Sequence, residues 1–457
     1  MAGIGFKLRK IFEKDSYLDT LRGVLFSTAV AGGPILFSIL CLILLGLFST
    51  VFVSSGEMNL FLVTVVYVFA FSLISTGVSQ LIITRYLSDL VYLNAATKIL
   101  PAFTIVLGVT ITLQLAIAAP LVLFWQIDFL YKMSALILFI AVGCIWQLMI
   151  FLSAVKNYKV VLYAFAIGLT TSFILATFLG DHYGISGFLH GYTIGQVVLL
   201  FILLARIFVE FRSDEKPDFD VLNFFREMPL LIVIGLFYNI GIWIDKIIFW
   251  FSPRGEQVHA FLYAFTDYDG ATFIAFITVI PSYTYFLVKV ETDFYGQFRD
   301  FFRSILGKRS LQRIVADKNG IARSVRESLG GLIKLQGTIT VLCLLFATDI
   351  SAFFKLPAVG TLILEKAFIA VFLQMMLLTI MIFMFYFDIK PQLVAVVSVF
   401  LASNVLLTLL SLSLGYIYYG YGYLLACLLA LVTGYALLNR HLNQLEYHTF
   451  VSQPITT

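Results

Sequence analysis

Apolar residues in this chain come in long, nearly unbroken runs, not in the one-sided or alternating patterns of a soluble fold. A helix needs about 20 mostly apolar residues to cross about 30 Å of hydrocarbon. Twelve runs reach that length, at 23–53, 59–85, 100–126, 133–155, 160–179, 185–209, 228–251, 271–290, 330–349, 362–388, 391–413 and 416–438. They predict helices, because a spanning backbone must satisfy its own hydrogen bonds. A barrel would show short alternating strands instead. Two polar segments interrupt the series. "FRSDEKPDFDVLNFFRE" at 211–227 separates the first six runs from the last six. Within 291–329, "FRDFFRSILGKRSLQRIV" mixes apolar and basic residues at helical spacing. It predicts an amphipathic helix on the membrane or against a partner, or a solvated connecting helix. At the N-terminus Ile4, Leu8, Ile11 and Phe12 recur at the same spacing among lysines, which predicts an interfacial helix drawn to anionic lipid heads.

The expected architecture is therefore an all-α integral membrane protein of about 12 transmembrane helices in two six-helix lobes. An interfacial helix at 1–22 precedes an N-lobe at 23–210. A cytoplasmic linker at 211–227 leads to a C-lobe at 228–440, with the basic loop 291–329 inside it and a tail at 441–457.

Composition supports a bilayer setting. The 457 residues are 61% hydrophobic and 12% charged, against roughly a quarter charged in a soluble protein. Charge placement sets the orientation. Of 30 Lys and Arg, only Lys132, Arg254, Lys355 and Lys366 fall on one side, and Lys246 falls within a span. The others gather at the termini and the even-numbered loops, so the positive-inside rule puts both termini in the cytoplasm. Ala29-Val30-Ala31 resembles a cleavage site, but too few apolar residues precede it, and an uncleaved first span is expected. Cys41, Cys144, Cys343 and Cys427 sit in apolar runs, without metal or disulfide spacing. No Walker loop, zinc spacing or nucleophile elbow is present in the sequence. A non-enzyme without cofactor, metal or nucleic-acid partner is expected.

Polar residues inside spans mark candidate sites, because a charge at mid-bilayer costs roughly 2.5–3.5 kcal/mol. Asp245 and Lys246 adjoin in "YNIGIWIDKIIFW". Neighbours on a helix point about 100° apart, so the two need not pair. Lys246 is expected to snorkel outward, with Asp245 facing the bundle or a wet cavity. Ser72, Thr76, Ser79 and Gln80 form a polar stripe ending at Arg85, and the stripe serves either helix packing or a polar path. Arg85 is either an inner-face anchor supported by Asp89 or the mouth of that path. Lys289, Glu291 and Asp293 crowd the inner boundary of the eighth run, holding basic neighbours or touching substrate. Pro34 and Pro281 predict bends within their spans. The tyrosines of "YIYYGYGY" at 416–423 suit an interface belt, or passage of sugar rings.

"GIGFKLRKIF" (3–12), "LIITRYLSDLVY" (81–92), "GIWIDKIIFW" (241–250), "TVIPSYTYFLVKVETDFY" (278–295) and "FYFDIKPQL" (385–393) together resemble the PelG family. These are inner-membrane components of Pel polysaccharide export, within the multidrug/oligosaccharidyl-lipid/polysaccharide flippase superfamily. The resemblance implies export of an aminosugar exopolysaccharide for biofilm matrix. It implies a cytoplasmic glycosyltransferase as partner, and membrane partners that include a cyclic di-GMP receptor. It carries over no established substrate residue. The costly polar positions in or beside those stretches, Gln80, Arg85, Asp245, Lys246, Glu291, Asp293 and Asp388, are the candidates for substrate path or ion coupling. The rival readings are a lipid-linked oligosaccharide flippase, a multidrug exporter, a membrane-embedded sugar polymerase, and a scaffold for the synthase.

Overall fold

The computed structural model of the chain describes residues 38, 40–46, 54–153, 158–217 and 219–451. The expected helix at 1–22, most of the run 23–53 with Pro34, and the end of the tail lie outside the described residues. Almost all of the described chain is helical. Among the described residues nine helices are long and apolar enough to cross a membrane. The described chain forms two compact units, one of 38–243 with 250–265, the other of 244–249 with 266–451.

The first unit opens with α1 (Ser55–Tyr92), which starts at a reciprocal cap between Ser54 and Glu57. This arrangement satisfies two amides that the first turn leaves orphaned. After α2 (Ile99–Phe124), Asp128 Oδ2 accepts from the amides of Leu130 and Tyr131 and starts α3 (Phe129–Ser153). Leu138, Val142, Ile145, Leu148 and Phe151 recur every three or four residues on α3 and are buried, making it the most buried span of the unit.

α4 (Tyr158–Glu210) is helical throughout except at Gly184, with φ 60° and ψ −146°. That conformation is open essentially to glycine alone. The chain folds back there. Gly187 lies against Leu179, Gly191 against Leu175, Gly195 against Ser172 and Leu199 against Gly168. As one number rises the other falls, so the two arms run antiparallel. A Cβ on Gly187, Gly191 or Gly195 would meet the other arm's backbone closer than 3.0 Å. Small residues four apart let two helix backbones touch, a common way to pack helices in lipid.

The linker contains a short helix, α5 (Asp220–Glu227). α6 (Pro229–Trp250) gives its residues up to Trp243 to the first unit and Ile244–Phe249 to the second. Within the first unit α6 crosses α1 at Gly235 and Gly77, so closely that a Cβ on Gly235 would strike the Gly77 carbonyl. The loop after α6 carries a two-stranded antiparallel hairpin, β1 (Glu256–His259) and β2 (Leu262–Ala264), that the apolar pattern does not predict. Trp125 Nε1 donates to His259 Nδ1 (3.0 Å) and Tyr67 OH to the Tyr263 carbonyl (2.9 Å), fixing it to the unit.

The second unit begins with α7 (Thr266–Ile277) and α8 (Ile280–Lys289). The run 271–290 is thus two helices rather than one bent span. The break falls at Thr278–Val279, and Pro281 sits in the first turn of α8 instead of kinking a helix from within. In a first turn proline's missing N–H would have had no intrahelical partner, and its φ is already helical. A π-helical turn, Val290–Phe294, leads into α9 (Tyr295–Leu306). The basic stretch 298–315 of the loop 291–329, expected as one amphipathic helix, is broken by a turn after Leu306, so only its first part is α9. The rest of that loop is not separate, because α10 (Leu311–Leu345) runs unbroken from the basic segment into the apolar run.

α8, the π turn and α9 pair antiparallel with α10 along their length. Ser282 Oγ donates to Gln336 Oε1 (2.6 Å), Tyr285 lies against Gly331, Gln297 against Gly320, and Ser304 Oγ donates to Asp317 Oδ2. Next come α11 (Ala347–Phe353), α12 (Ala358–Tyr386), α13 (Lys390–Leu414), α14 (Tyr421–Asn443) and α15 (Leu445–Val451). α12 is the most buried span here and packs on α7, α10 and α14.

The nine helices depart from the twelve expected runs at three places. The first run lies mostly outside the described residues, the fifth and sixth are the two arms of α4, and the eighth is split at Thr278–Val279.

Candidate functional site

In the second unit Asp245 and Lys246 are 0% and 6% exposed. Asp245 Oδ2 accepts from Tyr268 OH at 2.7 Å and lies 3.4 Å from Lys246 Nζ. The ammonium sits 5.3 Å from the ring centre of Tyr423 and 5.5 Å from that of Phe276. Tyr423 OH in turn donates to Gln374 Oε1 at 2.6 Å. Phe249 stacks on Tyr268 with ring centres 4.2 Å apart. Four helices, α6, α7, α12 and α14, therefore converge on one ion pair.

This corrects one expectation, because Lys246 does not snorkel; helix geometry leaves pairing with its neighbour open, and the two do pair. The four-carbon stem spans the angle between adjacent side chains, and aromatic faces replace part of the lost hydration of the ammonium. Opposite charges attract more strongly where water is excluded. Asp245 Oδ1 has no hydrogen-bond partner among the described residues. The cluster thus holds a buried carboxylate with one oxygen bonded by Tyr268 and the other unpaired among the described residues.

Removing the Tyr268 hydroxyl tests how firmly the acid is held. A hydrogen bond to a charged group is worth about 1.5–3 kcal/mol. Tyr268→Phe is expected to lower the melting temperature of the purified protein accordingly. An unchanged melt would mean that the hydroxyl does not support the acid.

Three other candidates, Arg85, Asp293 and Asp388, each pair close by in sequence. Arg85 Nε lies 3.4 Å from Asp89 Oδ1, both part-exposed, which is the anchor arrangement. Lys289 Nζ lies 2.7 Å from Asp293 Oδ2, across the π turn. Asp388, with φ 53°, closes α12 in a left-handed turn and lies 3.1 Å from Lys390. Glu291 falls in the π turn, and its side chain lies outside the described ones. Among the described side chains, Asp245 and Lys246 are the two candidates in contact with each other.

Gln80 belongs to a second polar cluster, in the first unit. It donates to Thr76 Oγ1 (3.2 Å) and accepts from Asn239 Nδ2 (3.4 Å). Along the same α1 stripe, Ser72 accepts from Trp146 Nε1 (3.1 Å), Ser75 from Gln114 Nε2 (2.9 Å) and Ser79 from Gln147 Nε2 (2.7 Å). The stripe thus joins α1 to α2, α3 and α6, the packing role that small hydroxyls play between helices in lipid. Gln114 and Gln147 are fully buried, and each keeps an Oε1 without a partner among the described residues. Sequence reasoning passed over Gln114, Gln147, Asn239 and Gln374. Their signal was present as lone amides within apolar runs. Tyr423 lies in the tyrosine cluster at 416–423, but Tyr268 had no signal among 23 tyrosines.

Comparison with known proteins places this geometry. No curated protein matches the sequence. A multidrug resistance MATE family transporter of the MOP superfamily, in an outward-facing conformation, superposes with TM-score 0.65 at 11% identity, over 98% of this chain and 100% of that one. MATE in a bent conformation gives 0.63 at 11%, over 98% and 100%. An inward-facing MATE family transporter gives 0.59 at 12%, over 97% and 99%. At such identity the likeness speaks for the fold alone. The sequence profile of the PelG exopolysaccharide exporters (EPS-E) matches residues 1–450. On that match, over nearly its whole length, the chain belongs to the PelG family of exopolysaccharide exporters.

Proposed function

We propose that this transporter exports an aminosugar exopolysaccharide across the bacterial inner membrane. A partner glycosyltransferase makes the polymer in the cytoplasm, within a synthase complex that includes a cyclic di-GMP receptor. Twelve spans in two six-helix lobes, with both termini cytoplasmic, frame the path. The observation that carries the reading is the family match over 1–450 on a MATE-type fold.

A neutral sugar chain gains nothing from the membrane potential, which acts on charge at about 2.3 kcal/mol per unit charge per 100 mV. Coupling to the potential therefore needs a group that takes up and releases a charge. Asp245 fills that role in this reading, with Oδ1 as the acceptor and Lys246 as resident counter-ion. Arg85, Glu291 and Asp293 serve the inner mouth, and Asp388 and Gln80 the polar path.

The test is secretion from a deletion strain. Loss of polymer, restored by the wild-type chain, is expected. Asp245→Asn at matched protein level should reduce secretion at least tenfold. Normal secretion by that variant would remove Asp245 from the coupling role. Normal secretion by the deletion strain, with new sensitivity to cationic drugs, would replace the polymer with a drug as cargo.

A further inference from the structure

The turn joining α9 to α10 combines positive charge with exposed apolar surface. From Arg303 to Arg313 the chain has Arg303, Lys308, Arg309 and Arg313 and no acid, a local charge equal to the formal net +4 of the whole chain. All four are exposed, and Arg313 also reaches Asp317 at 3.2 Å. Leu306 and Leu311 flank the turn and are 82% and 67% exposed.

Leucines among arginines would suit an anionic bilayer surface, but the length of α10 argues against contact with it. α10 is continuous from Leu311 into the apolar run that begins near 330. The intervening residues, at about 1.5 Å each, put Leu311 roughly 28 Å along the axis from the hydrocarbon edge. At a tilt of about 40° the clearance is still about 20 Å. The headgroup layer adds only about 5–8 Å on each side. The two arms are also joined. Phe301 on α9 and Ile314 and Ile321 on α10 are buried, and the Ser304–Asp317 bond closes the hairpin near the tip. Lys318 Nζ bonds Glu446 Oε2 (2.6 Å) and the Asn443 carbonyl (3.0 Å), bracing one flank and leaving the tip open.

We propose that this tip docks a soluble cytoplasmic protein through an acidic face with an apolar centre. Two leucines ringed by four bases complement such a face in both shape of charge and apolar content. The docking needs only that the hairpin face the cytoplasm. Naming the partner as the polymer-making glycosyltransferase rests on the function proposed above.

The experiment uses the full-length protein in nanodiscs of neutral phospholipid, with purified glycosyltransferase as the probe. Binding is expected to weaken at least tenfold in Arg303→Glu/Arg309→Glu, at least tenfold in Leu306→Ser/Leu311→Ser, and with rising salt. In cells, a photo-crosslinking residue at Leu311 should give an adduct with that enzyme, lost when the two arginines are reversed. An adduct with a different acidic soluble protein, lost in the same way, supports the docking surface and overturns the enzyme as its partner. Adducts with lipid alone, or binding that neither double variant changes, overturn the docking surface itself.

Discussion

Asp245→Ala is expected to destabilise the protein by about 3–5 kcal/mol, while a double change of Asp245 and Lys246 to Leu and Met leaves stability equal or higher by about 1–4 kcal/mol. The asymmetry follows from burial. Lys246 is 6% exposed and lies 3.4 Å from Asp245. Without that anion, a buried ammonium beside the Phe276 and Tyr423 rings loses the carboxylate next to it. Removing both charges also removes both desolvation penalties, and apolar side chains of similar volume fill the space. Thermal unfolding of the purified variants reads both halves of the prediction. Secretion by the double variant then separates transport from structure. A stable double variant that secretes at least tenfold less polymer assigns the pair to transport, and one that secretes normally assigns it to structure.

Gly191→Val in the second arm of α4 is expected to cost about 3 kcal/mol or more, and Gly191→Ala about 1–3 kcal/mol. A Cβ there would meet the Leu175 carbonyl and the next amide closer than 3.0 Å, and a backbone cannot rotate out of the way as a side chain can. The arms must separate, and every contact from Gly187 to Leu199 loosens with them. Gly337, within α10, is the control. A Cβ there meets nothing within 4 Å, so Gly337→Ala is expected to be neutral or to gain up to about 1 kcal/mol from helix propensity. Melting temperatures of the three variants in one detergent decide it. Equal melts for Gly191→Ala and Gly337→Ala would show that the arms do not need their close approach.

The spans were readable because an apolar run is a local property of the sequence that a bilayer converts directly into a helix. The fold-back of α4 was readable as two runs, but not as a seam. Glycines at 187, 191 and 195 carry a small-residue period that hydropathy alone does not register. Pro281 was misplaced for a related reason, since a proline says that a helix cannot pass undisturbed but not whether it bends or starts afresh. The candidate charges were visible because they are costly in lipid. Their partners were not. Tyr268 lies 23 positions from Asp245, and Tyr423 belongs to a helix near the end of the chain, so only tertiary packing joins them. Sequence spacing suggested that Asp245 and Lys246 point apart, and the flexible lysine stem overrode that geometry.

The 35 residues of α10 make one rod of about 50 Å. Rocking it by about 5° about Leu345 would carry Leu311 sideways by roughly 4–5 Å, about the width of one side chain. A change of slope that packed neighbours could absorb deep in the bilayer thus becomes, at the far end, a step large enough to uncouple a fitted contact. The helix is built as a pointer, and distance labels on it would report its swing from the aqueous side.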